Sequence, residues 1–443
     1  MDWQWMWSNL WCCSNNSSKG FRGAHEKPAG ADNVLMDSQG VMPNYTEHRG
    51  ASSEADAVPA TLPAVSIGNE GGPTHVQKGV VEQESPESQT STAVPRSEHS
   101  DAQLKERQSA SKASTLAMQV QKDMNGTGSP PVMKPWITGD FTSLKVLQSA
   151  SRNQGRVDLM TAVKMSNQKV AVKRMPNTWV MSSPKEFDEK YSKSTEKPWF
   201  DICILHRLST MSFDSVCKLH GVYKDDAETF VVMSLATDGD FFTWCGNKTP
   251  FGRAREAPMR PLLRQTFEAV RWLHDNGIAH RDLSLENLLL TSDEQGLQVK
   301  IIDFGMATTE AVSSGTYGKH SYQAPEMHGQ SVYEVYLSDV FALGVVMYGM
   351  ALQDYPWVST KPGSCKCFDF VNASGFRAFL GARKVRGAQN QTIAASLSPE
   401  FIELMCGLVA FKPKSRYSLG EQRYQGEGTQ RKSAVDSEWL NKP

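Results

Sequence analysis

Residues 280–287 read His280-Arg281-Asp282-Leu283-Ser284-Leu285-Glu286-Asn287, and the fold turns on this stretch. Sixteen residues beyond Asn287 stands Asp303-Phe304-Gly305, and twenty-three beyond Asp303 stands Glu326 of Ala324-Pro325-Glu326. Upstream, Val170-Ala171-Val172-Lys173 lies in an alternating, strand-like run. Each short motif alone is a weak signal. Read singly, Lys173 is a surface lysine and Asp282 a turn or helix-cap residue. In this order and spacing the motifs leave that reading little weight.

The patterning around these motifs changes along the chain. Residues 14–134 are rich in Ser, Thr, Gly, Gln and Pro. They lack periodic apolar positions, so a disordered linker is expected there, with a short helix around Thr115–Lys122 as the exception. From Pro135 short strand-like runs appear: Ser143–Leu147, Val157–Val163, Lys169–Lys173 and Thr229–Leu235. From Pro258 the runs become helical, with Leu262, Phe267, Val270 and Leu273 on one face. Asp339–Leu352 is apolar nearly all round and reads as a buried helix. Strands first and helices second predict a two-lobed α+β enzyme domain over residues 135–422, with its site between the lobes. Residues 423–443 read as a polar C-terminal tail.

With 443 residues the chain exceeds one ordinary domain, and a net charge of −1 gives no reason to expect a nucleic-acid partner. No apolar run reaches the roughly 18 residues that span a bilayer. Eight dispersed cysteines fit reduced thiols in an intracellular protein. Cys365-Lys366-Cys367 lacks a second metal-like pair nearby and reads as a surface loop. Residues 1–13 form an aromatic segment: Trp3, Met6, Trp7, Leu10 and Trp11 share one helical face, Trp5 lies off it, and Cys12 and Cys13 follow. Interfacial indoles and acylatable cysteines suggest a membrane or partner anchor through residues 2–13, on an otherwise cytoplasmic protein. Asp2 excludes N-myristoylation, which needs glycine there. Docking on the protein's own surface and a frayed end stay open as alternatives.

Over roughly residues 136–422 the motifs resemble those of eukaryotic-type protein kinases. The resemblance implies a protein kinase fold with a small β-rich N-lobe and a larger helical C-lobe, ATP and Mg²⁺ as cofactors, and a protein substrate. By position in the motifs, Asp282 would accept the substrate hydroxyl proton. Asn287 and Asp303 would hold Mg²⁺, and Lys173 would reach the α- and β-phosphates. The acidic partner of Lys173 would be Glu196 or Asp201. Asp201 is favoured because it places Leu205 four residues on, where kinases keep an apolar residue facing the Phe of Asp-Phe-Gly. Val231–Ala236 resembles the strand into the hinge, with Met233 as gatekeeper and the backbone of Ser234 and Ala236 meeting adenine. Val157, Ala171 and Leu289 would flank the ring, and Asp240 would contact the ribose. Asp339 would hold the catalytic-loop backbone. Glu326 and Arg416 would form the buried pair that separates protein kinases from small-molecule kinases of similar fold.

The chain departs from this family in two places. Of the family glycines in the phosphate loop only Gly155 is present; Ala150 and Arg152 occupy the other two positions. Weaker nucleotide binding follows, unless the side chains of Ser149, Ser151 or Arg152 substitute. The sparse loop is similar to that of divergent kinases of apicomplexans and related protists. Second, Ser284 stands where Ser/Thr kinases keep a lysine that touches the γ-phosphate, and Lys319 stands where they keep a threonine. Lys319 either returns a cation to the γ-phosphate or is a solvated lysine. Arg281 would receive an activation-segment phosphate on Ser313, Ser314 or Thr316, or the segment is ordered without one. The function expected is phosphorylation of Ser or Thr in proteins. The alternative is a pseudokinase scaffold that binds nucleotide and partners with little or no turnover.

Overall fold

The structure, a computed structural model, describes residues 115–150, 155–247, 249–329, 331–385 and 390–442. The expectations for residues 1–13, for 14–114 and for Ser151 and Arg152 lie outside the described residues.

The first described element is a helix, α1 (Thr115–Met124), followed by the strands β1 (Met133–Pro135), β2 (Phe141–Ala150), β3 (Gly155–Ala162) and β4 (Gln168–Pro176). After the helix α2 (Pro184–Lys190) comes α3 (Pro198–Thr210), then β5 (Leu219–Lys224) and β6 (Glu228–Ser234). These strands form one six-stranded sheet in the order β1-β5-β6-β4-β3-β2. The strict alternation of β4 sets its two faces. Val170 and Val172 are buried with Met160, Phe230 and Val232 in a small outer core, closed by Trp136, which stacks between Phe141 and Phe230. Ala171 and Lys173 point the other way, towards the cleft.

The C-lobe begins with α4 (Phe241–Cys245) and α5 (Arg253–Asp275). The latter starts five residues before Pro258 and contains both Pro258 and Pro261, each of which lacks the N–H that the helix ladder would use. A hairpin of β7 (Leu288–Asp293) and β8 (Gly296–Ile301) carries the residues after Asn287. The pair β9 (Val312–Ser313) and β10 (Tyr333–Glu334) ties the segment after Asp303 to the start of α6 (Val335–Leu352). Every residue of α6 is buried. It is long and apolar enough to cross a membrane by composition, but its whole surface is covered by protein, so it is the core helix of the lobe. Helices α7 (Lys366–Ser374), α8 (Phe376–Ala382) and α9 (Pro399–Leu408) complete the packing.

Three sequence expectations need correction. The linker does not extend to residue 134: α1 buries Leu116 and Val120 against the domain, and β1 pairs with β5. The polar tail is packed as well. Trp439 and Leu440 are fully buried, and the Trp439 indole N–H donates to Glu256 on α5 at 3.0 Å. Two apolar residues isolated among polar ones find a seat on α5 and α9, which no local pattern reveals. Cys365, the residue preceding α7, is buried, and Cys367 lies within that helix rather than in a surface loop.

Candidate active site

Three segments converge on Asp282. Asp339, near the start of α6, accepts the backbone N–H of His280 at 2.7 Å and of Arg281 at 2.8 Å. Those two bonds fix a loop in which Arg281 has a positive φ of 64°, a conformation costing roughly 1–2 kcal/mol for a side-chain-bearing residue. Asp339 also meets His274 of α5 at 3.0 Å, and Glu421 meets the other ring nitrogen at 2.8 Å. Burial opposes a charge on His274, but these two carboxylates overcome it and hold its pKa at about 9. A protonated imidazole thus links Glu421 to the base of the catalytic loop.

On this platform, Asn287 Nδ2 donates to the Asp282 carbonyl at 2.7 Å and to its Oδ2 at 3.1 Å. Asp282 Oδ1 accepts the backbone N–H of Lys319 at 3.1 Å. Burial pushes the Asp282 carboxyl above the usual range, against the nearby Lys319 and His280. Asp303, also at positive φ (66°), is pulled the other way, chiefly by Lys173. Two carboxylates in one site are driven apart, one towards proton acceptance and one towards permanent charge.

Lys173 of β4 joins the lobes. Its ammonium lies 2.6 Å from Asp201 Oδ2 and 3.2 Å from Asp303 Oδ1. Burial opposes its charge; Asp201 and then Asp303 overcome this and raise its pKa. Asp201 Oδ1 accepts the backbone N–H of Phe304 at 2.9 Å, so Asp201 holds both the lysine and the Asp-Phe-Gly turn. Pro198 at the first turn of α3 has the backbone angle a helix start requires. Leu205, one turn after Asp201, is buried, and so is Phe304, whose ring lies 5.1 Å from that of His280.

Val157, Ala171 and Leu289 are half-buried, in β3, β4 and β7 respectively. Val157 is paired with Lys173, which places it on the cleft face. Met233 is half-buried at the end of β6, and the Ser234 N–H is spent on the Lys218 carbonyl. Asp240 caps α4 through the Thr243 N–H at 2.7 Å, so one of its oxygens already serves the helix. Ala150 pairs with Gly155 at the tip of the β2–β3 hairpin.

Two arrangements add partners that the sequence reading did not name. Lys319 Nζ lies 2.5 Å from Ser284 Oγ and 3.3 Å from Glu286 Oε2, so its cation reaches the position of the missing lysine and is balanced by Glu286. Gly318 permits this approach: a Cβ there would lie 2.6 Å from the Arg281 carbonyl oxygen. The guanidinium of Arg281 donates to the carbonyls of Met306 (2.6 Å) and Ala307 (3.2 Å) and to Ser313 Oγ (3.3 Å). Tyr317 stacks on it at 3.8 Å. The segment is therefore packed around Arg281 through these contacts. The sequence signal for Lys319 was its offset from Glu326; Glu286 and Tyr317 gave none, because they meet their partners only across folded segments.

Glu326 and Arg416 form a bidentate pair at 2.5 and 2.9 Å, and Arg416 also donates to the carbonyls of Leu337 (2.8 Å) and Ala410 (2.9 Å). A magnesium ion fits the oxygens present: Asp303 is held ionised, and Asn287 spends its nitrogen on Asp282, leaving its Oδ1 for the ion. Among the described residues no group of three or more His, Cys, Asp or Glu side chains is placed to hold a metal ion.

Residues 153–426 match the family described as protein kinase domain, so this chain belongs to the eukaryotic-type protein kinase superfamily. Calcium/calmodulin-dependent protein kinase type 1 of Caenorhabditis elegans is 34% identical over 179 residues, 40% of this chain and 49% of the relative. Testis-specific serine/threonine-protein kinase 3 of Mus musculus is 30% identical over 203 residues, 44% of this chain and 69% of the relative. Ribosomal protein S6 kinase alpha-4 of Homo sapiens is 30% identical over 230 residues, 51% of this chain and 25% of the relative. The chain thus spans about half the length of the first of these relatives.

Proposed function

We propose that this protein is an active, ATP- and Mg²⁺-dependent kinase that transfers the γ-phosphate to Ser or Thr of protein substrates. The observation that supports this reading best is the assembled pair of Lys173 with both Asp201 and Asp303 across the lobes. Lys173 would hold the α- and β-phosphates, while Val157, Ala171 and Leu289 would enclose the adenine. The backbone of Ser234 and Ala236 would read its edge, and the free oxygen of Asp240 would reach the ribose. Asn287 and Asp303 would hold the metal, which supplies charge neutralisation on the phosphates. Asp282 would orient the acceptor hydroxyl and take its proton. Lys319, on the Ser284 hydroxyl, would meet the γ-phosphate as charge moves onto the leaving oxygen.

The test is transfer of label from ATP-Mg²⁺ by the purified chain to itself or to a protein mixture, with Asp282→Asn and Asp303→Ala beside it. Asp282→Asn should lower turnover by about 10²–10⁴-fold without shifting the melting temperature. Asp303→Ala should remove the Mg²⁺ dependence of ATP affinity in calorimetry. Turnover undiminished in Asp282→Asn would sink the proposal. Nucleotide binding without turnover in the parent would favour the pseudokinase scaffold, a reading motivated by Ala150 at a family glycine position. We also propose a cytoplasmic protein attached to membranes through residues 2–13, on the basis of the Trp-rich face and Cys12-Cys13. Fractionation with a Cys12→Ser/Cys13→Ser variant tests it, and full-length protein found wholly in the soluble fraction would refute it.

A further inference from the structure

Helix α1 and the turn after it precede the stretch that matches the kinase family, yet they are built into the domain. Leu116, Ala117 and Val120 share one face and are all buried. The turn is folded tightly around Asp123. Gly126 takes a φ of 73°, the N–H groups of Thr127 and Gly128 close on the Lys122 carbonyl at 2.9 Å, and the Ser129 N–H donates to Asp123 Oδ1 at 2.8 Å. A Cβ on Gly128 would lie 2.2 Å from that oxygen.

Asp123 is 1% exposed, and its partner is Arg207 of α3. The guanidinium donates twice, at 2.6 and 2.5 Å. On a helix with about 100° per residue, Cys203 and Arg207 fall on the side of α3 away from Asp201. Burial, with the Asp123 carboxylate next, pushes the Cys203 thiol up to about 12, so Asp123 faces this side. Helix α3 is therefore held from both sides: Lys173 and Phe304 grip Asp201 in the cleft, and α1 grips Arg207 behind. The same α1 also touches the two other parts that must stay in register with α3. The Ala117 N–H donates to the carbonyl of Asn276, just before the catalytic loop, at 3.3 Å. Gln121 donates to Thr309 at 3.0 Å and to Glu310 at 3.3 Å, just after the Asp-Phe-Gly turn.

We propose that residues 115–129 are an intramolecular clamp, with Asp123 and Arg207 as positioning residues that keep Asp201 on Lys173. The idea rests on the kinase reading for its effect on rate, but its structural half is independent of it. An aspartate at 201 makes the need for such a clamp plain. It is one methylene shorter than glutamate, so a small retreat of α3 breaks the contact with Lys173.

The experiment uses the full chain. Asp123→Asn keeps the size of the side chain and removes the charge; Gly128→Ala disturbs the same carboxylate without touching a charge. Each variant should raise hydrogen exchange at the backbone of residues 198–210 by at least about tenfold while exchange in 335–352 stays at the parental level. Turnover should fall at least about tenfold in kcat, with the KM for ATP changed less than about threefold. Asp123→Glu, which keeps the charge, should recover part of both. Parental exchange across 198–210 in both variants overturns the proposal. So does equal loosening of 335–352, which would mark general destabilisation, or looser α3 with undiminished turnover. A parent without turnover, or Asp282→Asn as active as the parent, overturns the kinase reading instead, and the exchange measurement still decides whether the clamp exists.

Discussion

The catalytic loop and the β2–β3 hairpin would face the same phosphates, and they are held in opposite ways. The loop residues 280–287 rest on α6, which has no exposed residue, and are fixed by Asp339, His274 and Glu421. Strand β2 is the edge of its sheet, pairs only with β3 among the described residues, and slips register twice, between Ser143 and Lys145 and between Val146 and Gln148. The contrast teaches where precision is stored. A residue that must take a proton needs its position fixed against a strained backbone. A cover over phosphates would need only reach, and this hairpin carries Ala150 where the family has a glycine.

The largest effect expected from breaking the rigid side lies at Arg416. Arg416→Leu removes a fully buried guanidinium and leaves the half-buried Glu326 without its partner, which should cost about 3 kcal/mol, read as a fall in the urea midpoint at constant slope. A loss below about 1 kcal/mol would mean that the C-lobe platform does not depend on this pair.

The platform should also carry a pH signature. His274 has its pKa raised to about 9, above the ordinary 6.5. Its contribution is therefore complete below the unfolded value and is lost as pH rises through the folded one. Unfolding free energy should fall between about pH 6.5 and 9 by on the order of 3 kcal/mol, and His274→Gln should flatten that slope. A parent whose stability is level over this window would show that the imidazole is neutral.

Next comes the cation that leans across the loop. Lys319→Thr should lower kcat about 10²-fold, roughly 2.7 kcal/mol, with ATP affinity little changed. Ser284→Lys/Lys319→Thr, which restores the family arrangement, should recover part of that loss. Ser284→Lys alone brings two cations together and should help little. A double variant no better than Lys319→Thr would end the idea that Lys319 substitutes for the missing lysine.

The smallest effect belongs to the hairpin. Ala150→Gly should tighten ATP-Mg²⁺ binding about fivefold, roughly 1 kcal/mol, part of one charge-assisted hydrogen bond. An unchanged dissociation constant in calorimetry would mean that the hairpin backbone does not approach the nucleotide.

Much of this was legible in the chain. Val157–Val163 and Lys169–Lys173 became β3 and β4 with small shifts, because alternation of β-branched residues specifies both strand and face. Asp201, Asp339, and Glu326 with Arg416 lie where motif spacing put them. Helix α5 begins at Arg253, ahead of the visible helical pattern, because prolines punctuate sequences more strongly than they end a helix braced by neighbours. The depth of α1 and of the C-terminal segment was hidden for a different reason. Their few apolar residues, Leu116, Val120, Trp439 and Leu440, have meaning only once α3, α5 and α9 offer surfaces to cover. Pairings such as Lys319 with Glu286 join residues thirty-three positions apart and leave no local trace.

The outer edge of β2 has a consequence for handling the protein at high concentration. Leu144, Val146 and Leu147 are all more than 40% exposed on a strand whose outer edge meets no other strand among the described residues. Such an edge templates strand-to-strand association between copies, the first step towards a precipitate. The two register slips bend the ribbon away from a flat template, and Lys145 between them puts a charge in the path of a second strand. Among the described residues, Lys145 and the two irregularities are what guard this edge, and Lys145→Val is the substitution that would turn it adhesive.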